Sequence, residues 1–516
     1  MNAITLVSPR AWLYPTVFIT GAAIMVIELL GTRIVAPFYG NSLYVWSSLI
    51  SVTMIALAIG YWVGGRWADA TKKTGVAVIV ALASLFTLLI PVVAKWVLLA
   101  TDQFGLRLGV FLSALILFLP ALTLLGMVGP FAIKLATRQL ESLGNTAGSI
   151  YAVSTLGSVI STLALGFFLL PILGTREIFI ITGLLLSVLA IVIGVIEKKY
   201  SLLQLAMTPC LLVVALNVLL VPKLVNAAQS EIVSTEFKVV SEQESLYGWV
   251  RVIDQPRKNL RILSSDASAI GASNINDGVS RLIYQDIVAL LPKWHGNMKC
   301  VLIVGLGAGH MAGVLKKQYG LEVDTLEIDP AVQDAAVKYF GFQANGASIV
   351  GDARYEIRHL QGPYDLIIHD CFTGGSEPAH LLTTETLTQL NRLLAQQGLL
   401  ALNFVGFRSA EHNQALSSVA KTLKQVFNNT ETYLSETGKD FNDFIFLASH
   451  QPLDMDASGL GLNQKNWLNE RKITISTDNG SVLTDNFNPL EHQQLEKSEY
   501  YRRFIVEWLG ANVLLR

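Results

Sequence analysis

The sequence predicts a chain in two unlike halves: an N-terminal bundle of about seven apolar helices, and a C-terminal doubly wound α/β domain preceded by a small antiparallel sheet. Three observations carry that prediction. Apolar runs of about 20 residues, the length needed to cross a bilayer, fill the first half and stop near Pro222. From Lys299 onward, short apolar strands alternate with helical segments. The first of those strands opens into a glycine-rich turn and then a helix.

The totals agree. Of 516 residues, 52% are hydrophobic and 15% charged, with a mean hydropathy of +0.47. Those values are too apolar for a soluble protein and suit an average over two different halves. A net charge of −1 gives no footprint for nucleic acid. Cys210, Cys300 and Cys371 lie far apart and match no metal spacing, so neither disulfides nor a metal site is expected. Only Arg10 precedes the first apolar run, and many runs follow it, unlike a cleaved leader.

In the helical half, residues 1–222, seven segments are long enough to span: roughly 12–32, 43–65, 76–98, 107–127, 149–170, 177–196 and 202–221. A stretch with Lys134, Arg138 and Glu141 reads as an interfacial helix between the fourth and fifth. Arg66, Lys72, Lys73, Lys134, Arg138, Lys198 and Lys199 follow the even segments, which puts those loops and the N-terminus on the cytoplasmic side. Glu28 lies within the first segment, five residues before Arg33. A carboxylate at that depth is a functional candidate; the plainer reading is a Glu–Arg pair that fixes packing. The glycines of GYWVGGRWAD, residues 60–69, allow helices to approach closely.

Residues 223–236 read as a polar linker and 237–298 as the small β subdomain, with strands in LYGWVRVID, 246–254, and NLRILSSD, 259–266. Residues 299–516 form the larger domain, Rossmann-like and of the methyltransferase type. Val301 to Val304 make a buried strand. Gly305, Gly307 and Gly309 then permit a tight turn and close approach to a ligand, with a helix N-terminus behind. VDTLEID, 323–329, ends near Glu327, 18 residues beyond Gly309, where a carboxylate can accept hydrogen bonds from both ribose hydroxyls. Ala347 to Val350 leads to Asp352, suited to an adenine amino group or to capping the helix that follows. YDLIIHD, 364–370, ends at Asp370, whose carboxylate reaches the same crevice as a base or a cation ligand; His369 points to the other side of the strand. A helix in TTETLTQLNRLLAQQG and a strand in LLALNFV continue the pattern.

Over residues 240–450 these pieces resemble the polyamine aminopropyltransferases, the spermidine and spermine synthases. The resemblance rests on an ordered series: Glu244-Ser245 with Tyr247, Tyr284-Gln285, the glycine turn, Glu327-Ile328-Asp329, Gly351-Asp352-Ala353, Tyr364-Asp365 through Asp370, and Pro378-Ala379 with Leu382. GAAIMVIELLGTR at the start and LTDNFNPLE, 483–491, resemble the subgroup fused to a membrane bundle. The resemblance implies transfer of an aminopropyl group from decarboxylated S-adenosylmethionine to a polyamine or other amine, releasing methylthioadenosine, with no metal. It implies Asp370 as base, Tyr284 as its hydroxyl helper, Gln285 and Thr373 on the acceptor side, Glu327 at the ribose, and Asp352 with Ala353 at the adenine. It admits a homodimer.

Three positions depart from the family pattern. Ala308 stands where the family's turn carries an Asp that grips the donor's amino end, Thr373 where it carries a second acidic residue, and Ile270 near an expected glutamine. The acceptor side therefore reads as thinned of negative charge. Methyl transfer or lyase chemistry with ordinary S-adenosylmethionine is one alternative; a transporter or sensor with a nucleoside-binding domain is another. The expected location is a multi-pass cell-membrane protein with a cytoplasmic catalytic domain, although seven crossings from a cytoplasmic N-terminus would put that domain outside.

Overall fold

Apolar residues on all sides, with small residues where helices meet, fold the first unit, which runs to Val225 and takes in Leu515–Arg516. In this computed structural model the described residues are 11–40, 42–71, 75–137, 139–170, 172–197, 210–211, 213–215, 231–232, 236–372, 375–455 and 458–515. Among the described residues, six long helices lie in the first unit: α1 (Leu13–Tyr39), α2 (Leu43–Ala70), α3 (Val76–Thr101), α4 (Gly105–Ala136), α5 (Leu143–Ala164) and α6 (Thr175–Ile196). Five stretches among the described residues are long and apolar enough to cross a membrane, by length and composition; one of them, Val76–Ala136, is α3 and α4 joined through the short turn Asp102–Phe104.

The seventh expected segment, 202–221, falls outside the described residues except for Cys210, Leu211 and 213–215. These are helical, and Cys210 and Val213 pack on Leu88 of α3. The expected interfacial helix is not separate at its start. The apolar pattern of GMVGPFAI carries α4 on to Ala136, and Lys134 in its last turn reaches the Ala68 carbonyl.

Glycine sets the helix contacts. A Cβ at Gly60 would collide with the Thr123 carbonyl, and one at Gly64 with the Met127 backbone, so this four-residue repeat lays α2 on α4. Hydroxyls join helices where no water is needed: Ser84 Oγ lies 2.6 Å from Ser187 Oγ, and Thr101 Oγ1 lies 3.0 Å from Tyr39 Oη. The Glu28 side chain bonds Thr53 of α2.

The second unit, Asn226–Leu514, holds two sheets. The smaller is an antiparallel meander of β1 (Glu231–Ile232), β2 (Lys238–Glu244), β3 (Trp249–Gln255), β4 (Leu260–Ser265) and β5 (Ser268–Asn274). The larger contains β6 (Cys300–Val304), β7 (Glu322–Glu327), β8 (Ser348–Val350), β9 (Tyr364–His369), β10 (Leu394–Phe407), β11 (Asn429–Leu434), β12 (Phe441–Ser449) and β13 (Lys472–Ile473). Its order is β13-β11-β12-β10-β9-β6-β7-β8, parallel from β10 to β8 and antiparallel beyond.

Helices cover this sheet: α7 (Tyr284–His295), α8 (His310–Tyr319), α9 (Pro330–Phe340), α10 (Thr384–Leu393), α11 (Gln414–Val426) and α12 (Leu495–Leu509). One apolar cluster joins Ile287 and Leu291 of α7 to Val301 and Leu366; another joins Leu387 and Leu423 to Leu302 and Ile367. Burial on both faces explains why the parallel strands read as continuous apolar runs. The chain order reverses between β6 and β9, which leaves a crevice at their carboxyl ends.

Candidate active site

Two strand ends meet at the reversal point. The Asp370 amide donates to the Val304 carbonyl at 2.8 Å, which sets the end of β9 beside the glycine turn. A Cβ at Gly305, where φ is +95°, would strike the Asp370 carbonyl, so the contact requires glycine. Gly307, with φ +54°, lies against the Ile270 carbonyl of β5, so the small sheet closes over the turn. Gly309 is left-handed and precedes α8.

Glu327 ends β7 next to that turn. Its carboxylate accepts the amides of Leu306 and Asp329, each at 3.1 Å, and is also bonded by the Gly307 amide. Burial pushes its pKa up to about 7 against those hydrogen bonds. Asp329 caps α9 and takes a 2.6 Å bond from the Ser245 hydroxyl, which ties the Glu244-Ser245 motif to the β7 end. Asp352 caps the short helix Ala353–Glu356 by accepting the Tyr355 amide at 3.0 Å, the capping role weighed from the sequence.

Asp370 is bonded by side chains from two elements. Tyr284 Oη, at the start of α7, donates to its Oδ2 at 2.7 Å, and Asn403 Nδ2 of β10 donates to its Oδ1 at 2.9 Å. Gln285 Nε2 donates to Tyr284 Oη at 3.3 Å. Burial raises the Asp370 pKa, while the Asn403 and Tyr284 bonds hold it down. Burial and the Asp370 charge keep the Tyr284 phenol protonated, so it remains a donor. Buried His369 is driven down to about 4 and stays neutral at neutral pH. Thr373 lies outside the described residues.

Sequence reasoning missed Asn403, Asp443, Glu377 and Lys497. Asp443 pairs in register with Val405, two residues after Asn403, and its carboxylate shares Asn403 with Asp370. Burial, then the Asp370 charge, raises the Asp443 pKa to about 7. An antiparallel strand thus places a second acid beside Asp370. A carboxylate inside the apolar run FNDFIFLAS was the available signal. Ala308 lies in an apolar cluster with Val250, Leu263 and Ile270.

A doubly wound sheet with a glycine turn, an acidic strand end and a buried Tyr–Asp pair at its reversal point defines a Rossmann-like domain with an acidic crevice. Residues 281–454 match the family model described as spermine/spermidine synthase domain. The chain is 28% identical over 276 residues to a polyamine aminopropyltransferase of Vibrio vulnificus, covering 49% of this chain and 90% of that protein. It is 30% identical over 250 residues to an N-terminal histidine N-methyltransferase of Emericella nidulans, 43% of this chain and 44% of that protein's length. A polyamine aminopropyltransferase 2 of Streptomyces coelicolor is 25% identical over 418 residues, 75% of this chain and 72% of that protein, more than the second unit alone provides.

Proposed function

We propose that the chain transfers an aminopropyl group from decarboxylated S-adenosylmethionine to an amine, releasing methylthioadenosine. The observation that carries the reading is the set of acceptors around Asp370. Asp370 and Asp443 share Asn403, and the buried atoms Gln285 Oε1 and Asn403 Oδ1 have no hydrogen-bond partner. A crevice rich in acceptors suits a ligand that brings N–H donors, and an ammonium brings three. Amines are protonated near neutral pH and must lose a proton to attack. In this reading Asp370 takes that proton, Tyr284 and Asn403 fix its two oxygens, and Gln285 orients Tyr284. The nitrogen lone pair then forms the new C–N bond as the C–S bond of the sulfonium breaks. Glu327 holds the ribose and gives Gly305, Gly307 and Gly309 their shape, while Asp352 and Ala353 border the adenine. The helical unit anchors the enzyme in a lipid bilayer.

A second reading, methyl transfer from ordinary S-adenosylmethionine, is favoured by Ala308, since the apolar cluster around it offers no carboxylate to repel that donor's own. One incubation separates the two. The full chain in detergent is supplied with each donor and an amine, and the nucleoside product is identified by mass. The proposal expects methylthioadenosine from the decarboxylated donor; S-adenosylhomocysteine from the ordinary one, with no methylthioadenosine from either, would overturn it.

A further inference from the structure

The acceptor side contains an ammonium of the protein's own. Lys497 of α12 is buried and ion-paired with Glu377, which is buried too. Its Nζ lies 4.4 Å from the Phe404 ring centroid and 5.9 Å from that of Phe372, a cation–π setting. Glu377 links this pair to the catalytic candidates, since it bonds the Val405 amide and Val405 pairs in register with Asp443. Glu377 is saturated: its Oε1 accepts the Val405 amide at 2.8 Å, its own amide donates to Gln494 Oε1 at 3.0 Å, and its carbonyl accepts from Gln494 Nε2 at 3.3 Å. Burial lowers the Lys497 pKa, while the Glu377 charge and hydrogen bond and the Asp443 charge hold it up. Beside it, Tyr501 Oη accepts the Ala269 amide at 3.0 Å, which ties α12 to β5 next to Ile270.

A polyamine needs a carboxylate at its reacting nitrogen and another for its next ammonium. Asp370 and Asp443 flank the reacting nitrogen. Of the other carboxylates whose charge reaches Asp443, Glu377 is taken by Lys497 and Glu436 is paired with Lys439 at 2.8 Å. A second incoming cation would therefore find no free partner among these groups, and would meet the fixed charge of Lys497 in a poorly solvated region. We propose that Lys497 sets acceptor specificity by standing in for the second ammonium of a polyamine, so that the site takes an amine with one cationic nitrogen and an uncharged chain. This deepens the aminopropyl-transfer reading and rests on it.

The test uses the full chain in detergent with 1-aminobutane and 1,4-diaminobutane, which differ in the distal charge. Binding of each amine is measured by calorimetry, and kcat/KM with the decarboxylated donor. The wild type favours the monoamine by about tenfold or more in both readouts. Lys497→Arg keeps that preference. Lys497→Met exposes the Glu377 carboxylate and moves the ratio toward the diamine by about tenfold. Glu377→Gln/Lys497→Met, which leaves no buried charge unpaired, stays closer to wild type. A wild type that prefers the diamine, or a folded Lys497→Met with an unchanged ratio, overturns the proposal. Should Lys497→Met not fold, the wild-type preference and its retention in Lys497→Arg decide the matter. If the binding preference holds but neither amine receives an aminopropyl group, the transfer reading fails and the charge selection stands.

Discussion

The two units handle polar groups in opposite ways. In the helical unit, hydroxyls bond backbone carbonyls or one another, and apolar side chains face outward: Phe167 is 71% exposed and Phe168 66%, on a helix whose sequence is apolar on most sides. An apolar surface of that kind marks contact with lipid or protein rather than water. In the second unit, the central strands are apolar and hidden, and buried or half-buried charges gather around them: Asp370 with Tyr284, Asp443 beside Asn403, Glu377 with Lys497. Burying a charge without a partner is expensive, so this concentration marks where a ligand completes the balance. The comparison teaches that hydropathy describes the first unit almost fully, whereas the second is defined by its exceptions to hydropathy.

Three changes sharpen that contrast, the strongest first. Glu327→Ala removes a carboxylate that shapes the glycine turn and, in this account, holds the ribose. Losing a hydrogen bond to a charged group costs about 1.5–3 kcal/mol, so methylthioadenosine should bind tenfold or more weakly by calorimetry. Unchanged affinity would remove Glu327 from the site.

Asp443 gives a smaller, pH-dependent effect. Its folded pKa of about 7 lies above its ordinary value, so the folded state holds the proton more tightly. That contribution is complete below the ordinary carboxylate range and is lost as pH rises through about 7. Asp443→Asn has no such proton to lose. Its melting temperature relative to wild type should therefore rise from pH 5 to pH 8, by about 2–4 °C for each kcal/mol relieved. A difference that stays constant with pH would show that Asp443 is not strained in this way. The smallest expected effect is at the other unit. Gly60→Val should disrupt the α2–α4 contact and lower thermal stability in detergent, while methylthioadenosine affinity stays within about twofold, since the proposed ligand contacts lie in a separate compact unit. A large fall in affinity would mean that the two units fold as one.

The central parallel strands β6 and β9 were legible because they are buried on both faces. The expected strands at 301–304, 323–329, 347–350 and 364–370 fall within two residues of the observed ends. Glu327 and Asp370 were legible as carboxylates that end apolar strands. Asp443 and Lys497 were not. Asp443 reaches Asp370 only through the antiparallel register of β10 and β12, which no local pattern fixes. Lys497 lies in LEKSEYYRRFIVEWL, an ordinary charged helix until its packing selects one lysine for burial. The Tyr284–Asp370 bond joins residues 86 apart, so the sequence supplied the two names and the fold supplied their contact.

The account stands most directly on Asp370, and a paired measurement on Asp370→Asn tests it. The amide keeps the size and one acceptor oxygen but cannot take a proton at neutral pH. General base catalysis contributes about 10²–10⁴-fold, so turnover with the decarboxylated donor and the identified amine should fall by that factor. Methylthioadenosine affinity, measured on the same preparation, should change by less than about threefold, because the proposed adenosine contacts lie at other strand ends. Near-normal turnover in a folded Asp370→Asn protein would contradict the base assignment, and the reading of the crevice as an amine-activating site would fall with it.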